Sequence, residues 1–382
     1  MNNIIKLISS LLLGAMLLIG CDKADDLPYY ENGIEPSITV SANTIAPVPS
    51  DSLETGLVVN WTNPGYAADT AGFKYVIEID QVGNNFSKAN QRVLTGALST
   101  SYLNKELNTF LLDRGFEFNT PYDMELRVIS SYPNNNERRF SNVLPIRMTP
   151  YKVPPKVALP ESGRLFLVGS ATQGDWTNPV SVPTQEFSRI SETVFAGVFD
   201  LKANGEYLVL PMNGLWDQKY SVANKGLSGL SAGGDFGFGL NDNIPGPATA
   251  GLYKIELDFQ SGKFVVTPFA DAELPSALFM VGNATPGQWN NPVPVPSQQF
   301  TRLNSVEYEL TLELNGNSEY LLLPENGNWN KKYAVANNTL PGLREGGVMG
   351  FNLASNIPGP VNSGTYKIKV NFATHSYLVT PL

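Results

Sequence analysis

The chain has 382 residues, of which 42% are hydrophobic and 16% charged, and its formal net charge is −9. Because neutralising phosphates requires clustered Lys and Arg, this composition argues against nucleic-acid binding. The single Cys, Cys21, and the single His, His375, argue against a metal site of His and Cys ligands, a Ser-His triad and an intrachain disulfide. We therefore expect no cofactor.

The first twenty residues have the pattern of a secretory signal. Lys6 is followed by an apolar run over residues 7–19, which is too short to span a bilayer comfortably. The run ends in Leu18-Ile19-Gly20-Cys21, which resembles a bacterial lipobox. That resemblance implies lipidation of Cys21 and anchoring to outer-membrane lipid. The alternative is an ordinary signal with an incidental Cys.

The residues after Cys21 resemble a signal for export to the cell surface. Three acidic residues that follow it are similar to the surface-export signal of Bacteroidetes-type lipoproteins: Asp22, Asp25 and Asp26. We expect a lipoprotein signal peptide over residues 1–20, a tether over residues 21–35, and a lipid-anchored protein at the outer-membrane surface.

Residues 36–150 carry strand patterns and one helical pattern. Apolar residues alternate with polar ones over residues 73–79 and 124–128, as in half-buried strands. Residues 103–111 keep helical spacing, and Gly115 suits a C-terminal cap. These patterns predict a small immunoglobulin-like sandwich with Trp61 in its core. The four prolines from Pro150 to Pro160 predict a stiff linker over residues 151–163.

The rest of the chain is one stretch that occurs twice. Residues 165–268 align with residues 278–381 at a shift of 113 positions without a gap, and about half of the positions are identical. This period is far longer than a solenoid unit, so each copy is long enough to bury its own core. We predict two tandem all-β domains, over residues 164–269 and 277–382, each a compact antiparallel sandwich.

Alternating residues support strands in both copies, as in Tyr253 to Phe259 and Tyr366 to Phe372. Between the last two strands of the first copy, Gly262 suits the positive φ of a tight hairpin turn. The second copy has His375 there. His375 is therefore predicted to be a solvated turn residue, with no partner that would make it catalytic.

The carboxylates do not predict an enzyme. Hydrolysis of a glycosidic bond normally needs two facing carboxylates. Most acidic residues of the first copy are replaced in the second: Asp175, Glu186, Asp217, Asp235 and Asp258 correspond to Gln288, Gln299, Asn330, Val348 and Asn371. If both copies performed the same carboxylate chemistry, these exchanges would remove it.

Tryptophan persists where carboxylates do not. Trp176 and Trp216 recur at Trp289 and Trp329, and the second member of each pair lies in a polar, Gly- and Asn-rich segment. An indole face offers apolar area at low entropic cost for the C–H face of a sugar ring, and its N–H can donate a hydrogen bond. These four residues are candidate glycan contacts. The alternative is that they close loops as part of the core.

Other matched polar residues are candidates for hydroxyl contacts. Lys219 and Lys332 follow the second tryptophan of each copy. They can donate to sugar hydroxyls or remain solvated loop lysines. Arg189 and Arg302 are also matched and fit a surface ion pair equally well.

The lipobox, the immunoglobulin-like domain and two domains with the pattern G-x-W … W-x-x-K-Y together resemble the SusE/SusF family of outer-membrane glycan-binding lipoproteins. One immunoglobulin-like domain plus two repeats is more similar to the SusE arrangement. The W-D-x-K-Y segment is also similar to starch-binding modules of some amylases. The resemblance implies an aromatic arc in each copy, with Lys, Arg or Asn around it.

One departure concerns the strand before the second tryptophan. Starch-binding members that resemble this chain often carry a basic residue there, whereas Tyr207 to Pro211 and Tyr320 to Pro324 contain none. Arg344 is a substitute in the second copy, although its counterpart is Ser231. Some glycan, rather than starch specifically, is the expected ligand.

We therefore expect a non-catalytic surface lipoprotein that binds a polysaccharide or oligosaccharide for a neighbouring glycan importer. By the resemblance, SusC/SusD-type importer components are the expected partners. The alternative is a structural spacer or docking subunit of the importer with no glycan binding of its own. A glycoside hydrolase is the weakest hypothesis.

Overall fold

The structure is a computed structural model, and it describes residues 32–66, 72–269 and 274–382. The expected signal peptide, Cys21 and residues 21–31 of the expected tether lie outside these ranges. The described residues are almost entirely β, which confirms the predicted fold class. No helix within these ranges is long and apolar enough to cross a bilayer. The chain divides into two compact units, Met1–Pro154 and Pro155–Leu382.

The first unit is a sandwich of two sheets with one α-helix. Its strands are β1 (Ile38–Val40), β2 (Thr44–Ile45), β3 (Thr55–Trp61), β4 (Lys74–Gln81), β5 (Asn90–Thr95), β6 (Ser99–Leu103), β7 (Tyr122–Ser131), β8 (Arg139–Phe140) and β9 (Leu144–Met148). One sheet has the order β1-β3-β6. The other has the order β2-β9-β7-β4-β5, with β8 also paired to β7. Only β2 and β9 among these pairs are parallel.

The core of this unit lies between the two sheets. Trp61 is 5% exposed and packs against Tyr75, with ring centroids 5.4 Å apart, which confirms its predicted place in the core. A 3-10 helix (Pro49–Asp51) precedes β3, and helix α1 (Asn104–Asp113) follows β6. The backbone N–H of Gly115 donates to Leu112, and its φ is +79°, as expected of a left-handed residue that ends a helix.

The two repeats have the same strand order. The first contains β10 (Phe166–Val168), β11 (Ser188–Arg189), β12 (Val194–Leu201), β13 (Glu206–Leu210), β14 (Tyr220–Ser221), β15 (Gly233–Asp235), β16 (Gly237–Phe238), β17 (Ile244–Pro245), β18 (Gly251–Asp258) and β19 (Lys263–Pro268). The second contains β20 (Phe279–Val281), β21 (Thr301–Arg302), β22 (Glu307–Leu314), β23 (Glu319–Leu323), β24 (Tyr333–Ala334), β25 (Gly346–Val348), β26 (Gly350–Phe351), β27 (Ile357–Pro358), β28 (Gly364–Asn371) and β29 (Ser376–Pro381).

Each repeat folds into two antiparallel sheets. In the first repeat the orders are β11-β12-β18-β19-β15 and β10-β13-β14-β16, with β17 also paired to β13. The second repeat forms the corresponding sheets from β20 to β29. Inward-facing residues of the long strands build the core, as the period-2 pattern predicts; Ile255 and Ile368 are both fully buried.

The outward face of β12 is buried, unlike that of its counterpart β22. Ala196 and Val198 point away from the core of the first repeat and belong to the hydrophobic cluster of the second. At the matched positions of β22 stand Glu309 and Thr311, which are not buried. Both repeats lie in one compact unit, and this strand is part of what joins them.

Residues of the predicted stiff linker, 151–163, contact folded structure. Tyr151 is buried, and its N–H donates to the side chain of Asn108 in the first unit. Val157 belongs to the core of the first repeat, and its N–H donates to the carbonyl of Phe259. The boundary between the two units falls between Pro154 and Pro155.

Gly262 has the positive φ that was predicted for the turn between the last two strands of the first repeat. His375 occupies the matched turn of the second repeat, but its surroundings differ from the prediction. Gly262 has φ +67° and His375 has φ +51°, so both adopt the left-handed conformation that this turn requires. His375 is not simply solvated, because its ring stacks on Phe269 at 5.6 Å with the planes 6° apart.

Candidate functional site

Each repeat brings its two matched tryptophans together on its surface. Trp176 lies in the loop between β10 and β11, and Trp216 lies in the loop between β13 and β14. Their ring centroids are 6.4 Å apart and their planes are inclined by 43°. Trp289 and Trp329 form the matching pair, also at 6.4 Å, with an inclination of 39°. The two copies therefore present nearly the same V-shaped pair of indoles.

The tryptophans are exposed rather than part of a core. Their exposed fractions are 37% for Trp176, 45% for Trp216, 36% for Trp289 and 46% for Trp329. No described residue accepts a hydrogen bond from any of these four indole N–H groups. Large aromatic residues that keep an open face and a free donor are suited to binding an amphipathic ring.

A buried glutamine anchors the loop that carries the first tryptophan of each pair. Gln185 is 7% exposed, and its Nε2 donates to the carbonyl of Leu167 and to Thr172 Oγ1. In the second repeat Gln298 is 1% exposed and donates to the carbonyl of Met280. These bonds attach the base of the loop to the middle residue of β10 and of β20.

Two asparagines join the loops of each pair to one another. In the first repeat Asn213 Oδ1 accepts from the N–H of Val180 at 2.7 Å, and Asn213 Nδ2 donates to the carbonyl of Val180 at 3.2 Å. In return, Asn178 Oδ1 accepts from the N–H of Gly214 at 2.7 Å. We call this reciprocal set of bonds the asparagine clasp.

The second repeat contains the same clasp at the same distances. Asn326 binds the N–H and the carbonyl of Val293 at 2.7 Å and 3.2 Å. Asn291 Oδ1 accepts from the N–H of Gly327 at 2.7 Å. Residues 178 and 213, and their counterparts, were not predicted as site residues. A signal was nevertheless present, because these asparagines are identical in the two copies and lie within three residues of a tryptophan.

The structure places the predicted lysines at the end of the loop that carries the second tryptophan, and no contact joins them to the pair among the described residues. Lys219 and Lys332 directly precede β14 and β24 and come three residues after the second tryptophan. Their carbonyls accept from Gly239 and Asn352 at 2.8 Å and 2.7 Å. Within the described ranges, no side-chain hydrogen bond or ion pair engages either ammonium group, so both remain available to a ligand.

The predicted Arg344 is engaged elsewhere. Its Nη1 donates to the carbonyl of Gly359 at 2.5 Å, directly after β27, which pairs with the beginning of β23. Among the described residues, no contact joins its guanidinium to Trp289 or Trp329. The structure therefore does not bring Arg344 together with the pair.

The two other matched arginines hold their own turns. Arg189 donates to the carbonyls of Ser191 and Glu192, at 3.3 Å and 2.7 Å. Arg302 donates in the same way to Asn304 and Ser305, at 3.0 Å and 2.7 Å. Among the described residues, both arginines therefore bind main-chain carbonyls, and neither forms the surface ion pair that was an alternative for them.

The surroundings of the two pairs differ. Beside Trp216, Met212 and Leu215 are 47% and 45% exposed. The matched positions near Trp329 are polar: Glu325 accepts from Asn328 Nδ2 at 2.7 Å and from Lys331 Nζ at 2.9 Å. These two hydrogen bonds lower the pKa of Glu325. The first pair therefore has an apolar border and the second a charged one.

The paired tryptophans form an open surface. A cavity of about 460 Å³ lies nearby, where the two repeats meet, but no tryptophan lines it; its walls include Gln173, Thr184, Asp200 and Arg302. An open surface allows a chain to extend past the contact on both sides, whereas small-molecule sites are usually concave. Within the described ranges, no group of three or more His, Cys, Asp or Glu residues is arranged to hold a metal ion.

Comparison with known proteins gives one family match. A family model described as SusE outer membrane protein matches residues 23–129. No curated protein sequence matches the chain. The crystal structure of SusF from Bacteroides thetaiotaomicron aligns with 91% of this chain and 76% of its own, at 14% identity and a TM-score of 0.35.

A second solved structure is less similar. The α-L-rhamnosidase of Streptomyces avermitilis, complexed with L-rhamnose, aligns with 90% of this chain and 40% of its own, at 9% identity and a TM-score of 0.16. Structural similarity this low supports no conclusion about function. The sequence match over residues 23–129 shows that this N-terminal region is similar to the SusE outer membrane protein family.

Proposed function

We propose that this chain is a non-catalytic, lipid-anchored surface protein that binds a polysaccharide or oligosaccharide for a neighbouring outer-membrane glycan importer. The observation that carries the proposal is the exposed, inclined tryptophan pair, which occurs with the same geometry in both repeats. The SusE match of the N-terminal region and the lipobox at Cys21 support a place at the outer-membrane surface.

Binding at each pair combines stacking with hydroxyl contacts. Each of the two inclined indoles can cover the C–H face of one sugar unit, and burial of that face removes apolar area from water. The unengaged indole N–H groups and the ammonium groups of Lys219 and Lys332 supply donors for hydroxyl oxygens. The inclination of the rings suits two successive units that face different directions.

The absence of catalysis is supported by the acidic residues next to the pair. Asp175 directly precedes Trp176, and its Oδ1 accepts from the N–H of that tryptophan at 3.1 Å. Its counterpart before Trp289 is Gln288, which cannot serve as a general acid or a nucleophile. The tryptophan geometry is kept in both copies, whereas this carboxylate is not.

Affinity electrophoresis tests the proposal. The soluble form that begins at Asp22 would be run in native gels cast with a panel of polysaccharides, beside a Trp216→Ala/Trp329→Ala variant. Circular dichroism and thermal unfolding would establish that both proteins are folded. We expect at least one glycan to retard the parent, and the double variant to lose at least about tenfold in affinity.

Other outcomes would point elsewhere. Equal retardation of parent and variant would exclude the tryptophan pairs as the binding surface. No retardation on any glycan would favour the spacer or docking role. Release of reducing sugar by the parent would contradict the non-catalytic assignment.

A further inference from the structure

We infer that the asparagine clasp positions the tryptophan pair, and that Asn178 with Asn213, and Asn291 with Asn326, set the angle between the two indoles before any glycan arrives. This inference rests on the proposed function for its consequence, namely affinity. Its structural part, the control of the ring geometry, does not depend on a ligand. The four asparagines are positioning residues, because they act through the tryptophans.

The need for such a device follows from how the tryptophans are carried. Each pair consists of one residue from the loop after β10 or β20 and one from the loop after β13 or β23. Neither tryptophan lies in a strand, so no sheet ladder fixes one relative to the other. In the first repeat, the three clasp bonds link the two loops two to four residues from Trp176 and two to three residues from Trp216.

The clasp is specific in its chemistry. An asparagine amide presents an acceptor and a donor side by side, and Asn213 uses both of them on the same residue, Val180. Asn178 uses only its acceptor, and its Nδ2 is buried without a partner among the described residues. Asn291 shows the same combination of a bonded oxygen and a buried, unpartnered nitrogen. Loss of the Asn213 side chain therefore removes two of the three clasp bonds, whereas loss of the Asn178 side chain removes one.

Preorganisation explains why the ring angle matters for binding. A ligand that must order two loops loses part of its interaction energy in doing so, and a pair that is already ordered avoids that loss. Removal of a clasp side chain also leaves main-chain groups such as the Val180 N–H without their partner. The loops then rearrange toward water, and the two rings lose their fixed inclination.

The test uses the optical coupling between the two indoles. Two indoles a few ångströms apart give a paired positive and negative band in circular dichroism, whose size depends on their mutual angle. The variants would be made in a protein that carries Trp289→Phe and Trp329→Phe, here called the first-pair protein, in which the first pair gives the paired band. Trp61 remains beside Tyr75 in the first unit, and its contribution is the same in every variant. The variants are Asn213→Ala, Asn213→Asp and Asn178→Ala, and Trp216→Phe defines the signal without the pair.

A matched control lies in the same repeat. Asn224 Oδ1 accepts from the N–H of Gly226 at 2.9 Å, so Asn224→Ala also removes a bond to main chain, but in a turn outside both tryptophan loops. We expect Asn213→Ala to reduce the paired band nearly to the level of Trp216→Phe, while Asn224→Ala leaves it unchanged. Asn213→Asp keeps the acceptor and loses the donor, so the size of its paired band should fall between those of the first-pair protein and Asn213→Ala.

Binding of the first-pair protein and its variants is measured separately, on the glycan that retards the unmodified protein. Asn213→Ala should weaken binding about tenfold, with a far-ultraviolet spectrum that differs only in the paired band. An unchanged paired band in both Asn213→Ala and Asn178→Ala would overturn the inference. If the band falls but no glycan binds the unmodified protein, the clasp is supported and the proposed function fails. If Asn213→Ala does not fold, Asn213→Asp and Asn178→Ala provide the same comparison.

Discussion

The side chain of Asn371 in the second repeat donates a hydrogen bond of 3.0 Å to the hydroxyl of Ser188 in the first. Close by, the N–H of Ser305 donates to the carbonyl of Glu186 at 2.9 Å. With the burial of Val198 in the cluster of the second repeat, these bonds form a mixed polar and apolar interface. The two tryptophan pairs are thus attached to domains that pack against each other.

Ala196 and Val198 are the apolar residues that the outward face of β12 contributes to this interface, and the second copy has Glu309 and Thr311 at the matched positions. We predict that Ala196→Glu/Val198→Thr, which installs the residues of the second copy, separates the repeats without unfolding either. A buried glutamate without a partner costs several kcal/mol, whereas undocking returns it to water. Calorimetry should then show separate unfolding transitions for the repeats in place of a shared one.

The second copy provides the control for this change. Glu309→Ala/Thr311→Val makes the reverse exchange on the face of β22 that is not buried, and it should leave the shared transition intact. Persistence of one shared transition in Ala196→Glu/Val198→Thr would show that this strand does not hold the repeats together.

Two linked pairs should favour long ligands over short ones. We predict that Trp329→Ala lowers the affinity for a polysaccharide by at least about tenfold, because one of two linked contacts is lost. The affinity of the first repeat for a short oligosaccharide should stay the same. Isothermal titration with a length series of one glycan measures both. An equal loss for short and long ligands would exclude a gain from linkage.

The loop around Trp329 should be ordered by Glu325. We predict that Glu325→Met, which installs the matched residue of the first copy, increases amide exchange in residues 325–331, because Asn328 and Lys331 lose their shared acceptor. Hydrogen exchange followed by mass spectrometry measures this change. The mirror-image change Met212→Glu should not slow exchange in the first loop, where Leu215 and Gln218 replace the two donors. Unchanged exchange in Glu325→Met would show that other contacts order the loop.

In the first unit, a buried carboxylate should make stability dependent on pH. Asp80 is 1% exposed, and this burial by itself raises the pKa of its carboxyl. Hydrogen bonds from Asn84 and from the N–H groups of Lys88 and Gln81, together with the charge of Arg114, lower the pKa by more than burial raises it. The pKa of Asp80 therefore lies below its usual value. Because the folded pKa is lowered, Asp80 contributes its stability above the ordinary pKa of Asp. That contribution is lost as the pH falls through the folded value.

The variant Asp80→Asn should remove this pH dependence. At neutral pH it should lower stability by about 1–3 kcal/mol, since the amide leaves part of the buried hydrogen bonding unmatched. The difference in thermal midpoint between parent and variant should shrink as the pH falls below the usual range for Asp. A difference that stays constant down to acidic pH would contradict a lowered pKa.

Much of the fold could be predicted because it is local. The period-2 patterns of residues 253–259 and 366–372 predicted long strands, and the structure has β18 and β28 there. The helical spacing after Leu103 and the glycine at position 115 predicted α1 and its end. The internal repeat predicted that both copies would share one architecture, which the strand orders confirm.

The interface and the clasp could not be predicted in the same way. Five consecutive buried residues in β12 include Ala196 and Val198, which face outward, so their burial depends on a neighbour rather than on the strand itself. The clasp joins positions 33 and 36 residues apart in loops, where no periodicity exists. Matched tryptophans marked the candidate site, but only the fold shows that they form pairs.

The unequal faces of β12 and β22 also mean that the two copies are not interchangeable. A chain with the second copy placed first would present Glu309 and Thr311 to its neighbour in place of Ala196 and Val198. A charged side chain would then be enclosed where a methyl group now fits. The order of the domains thus depends on Ala196 and Val198 of one strand, whereas the geometry of the tryptophan pair is nearly the same in both copies.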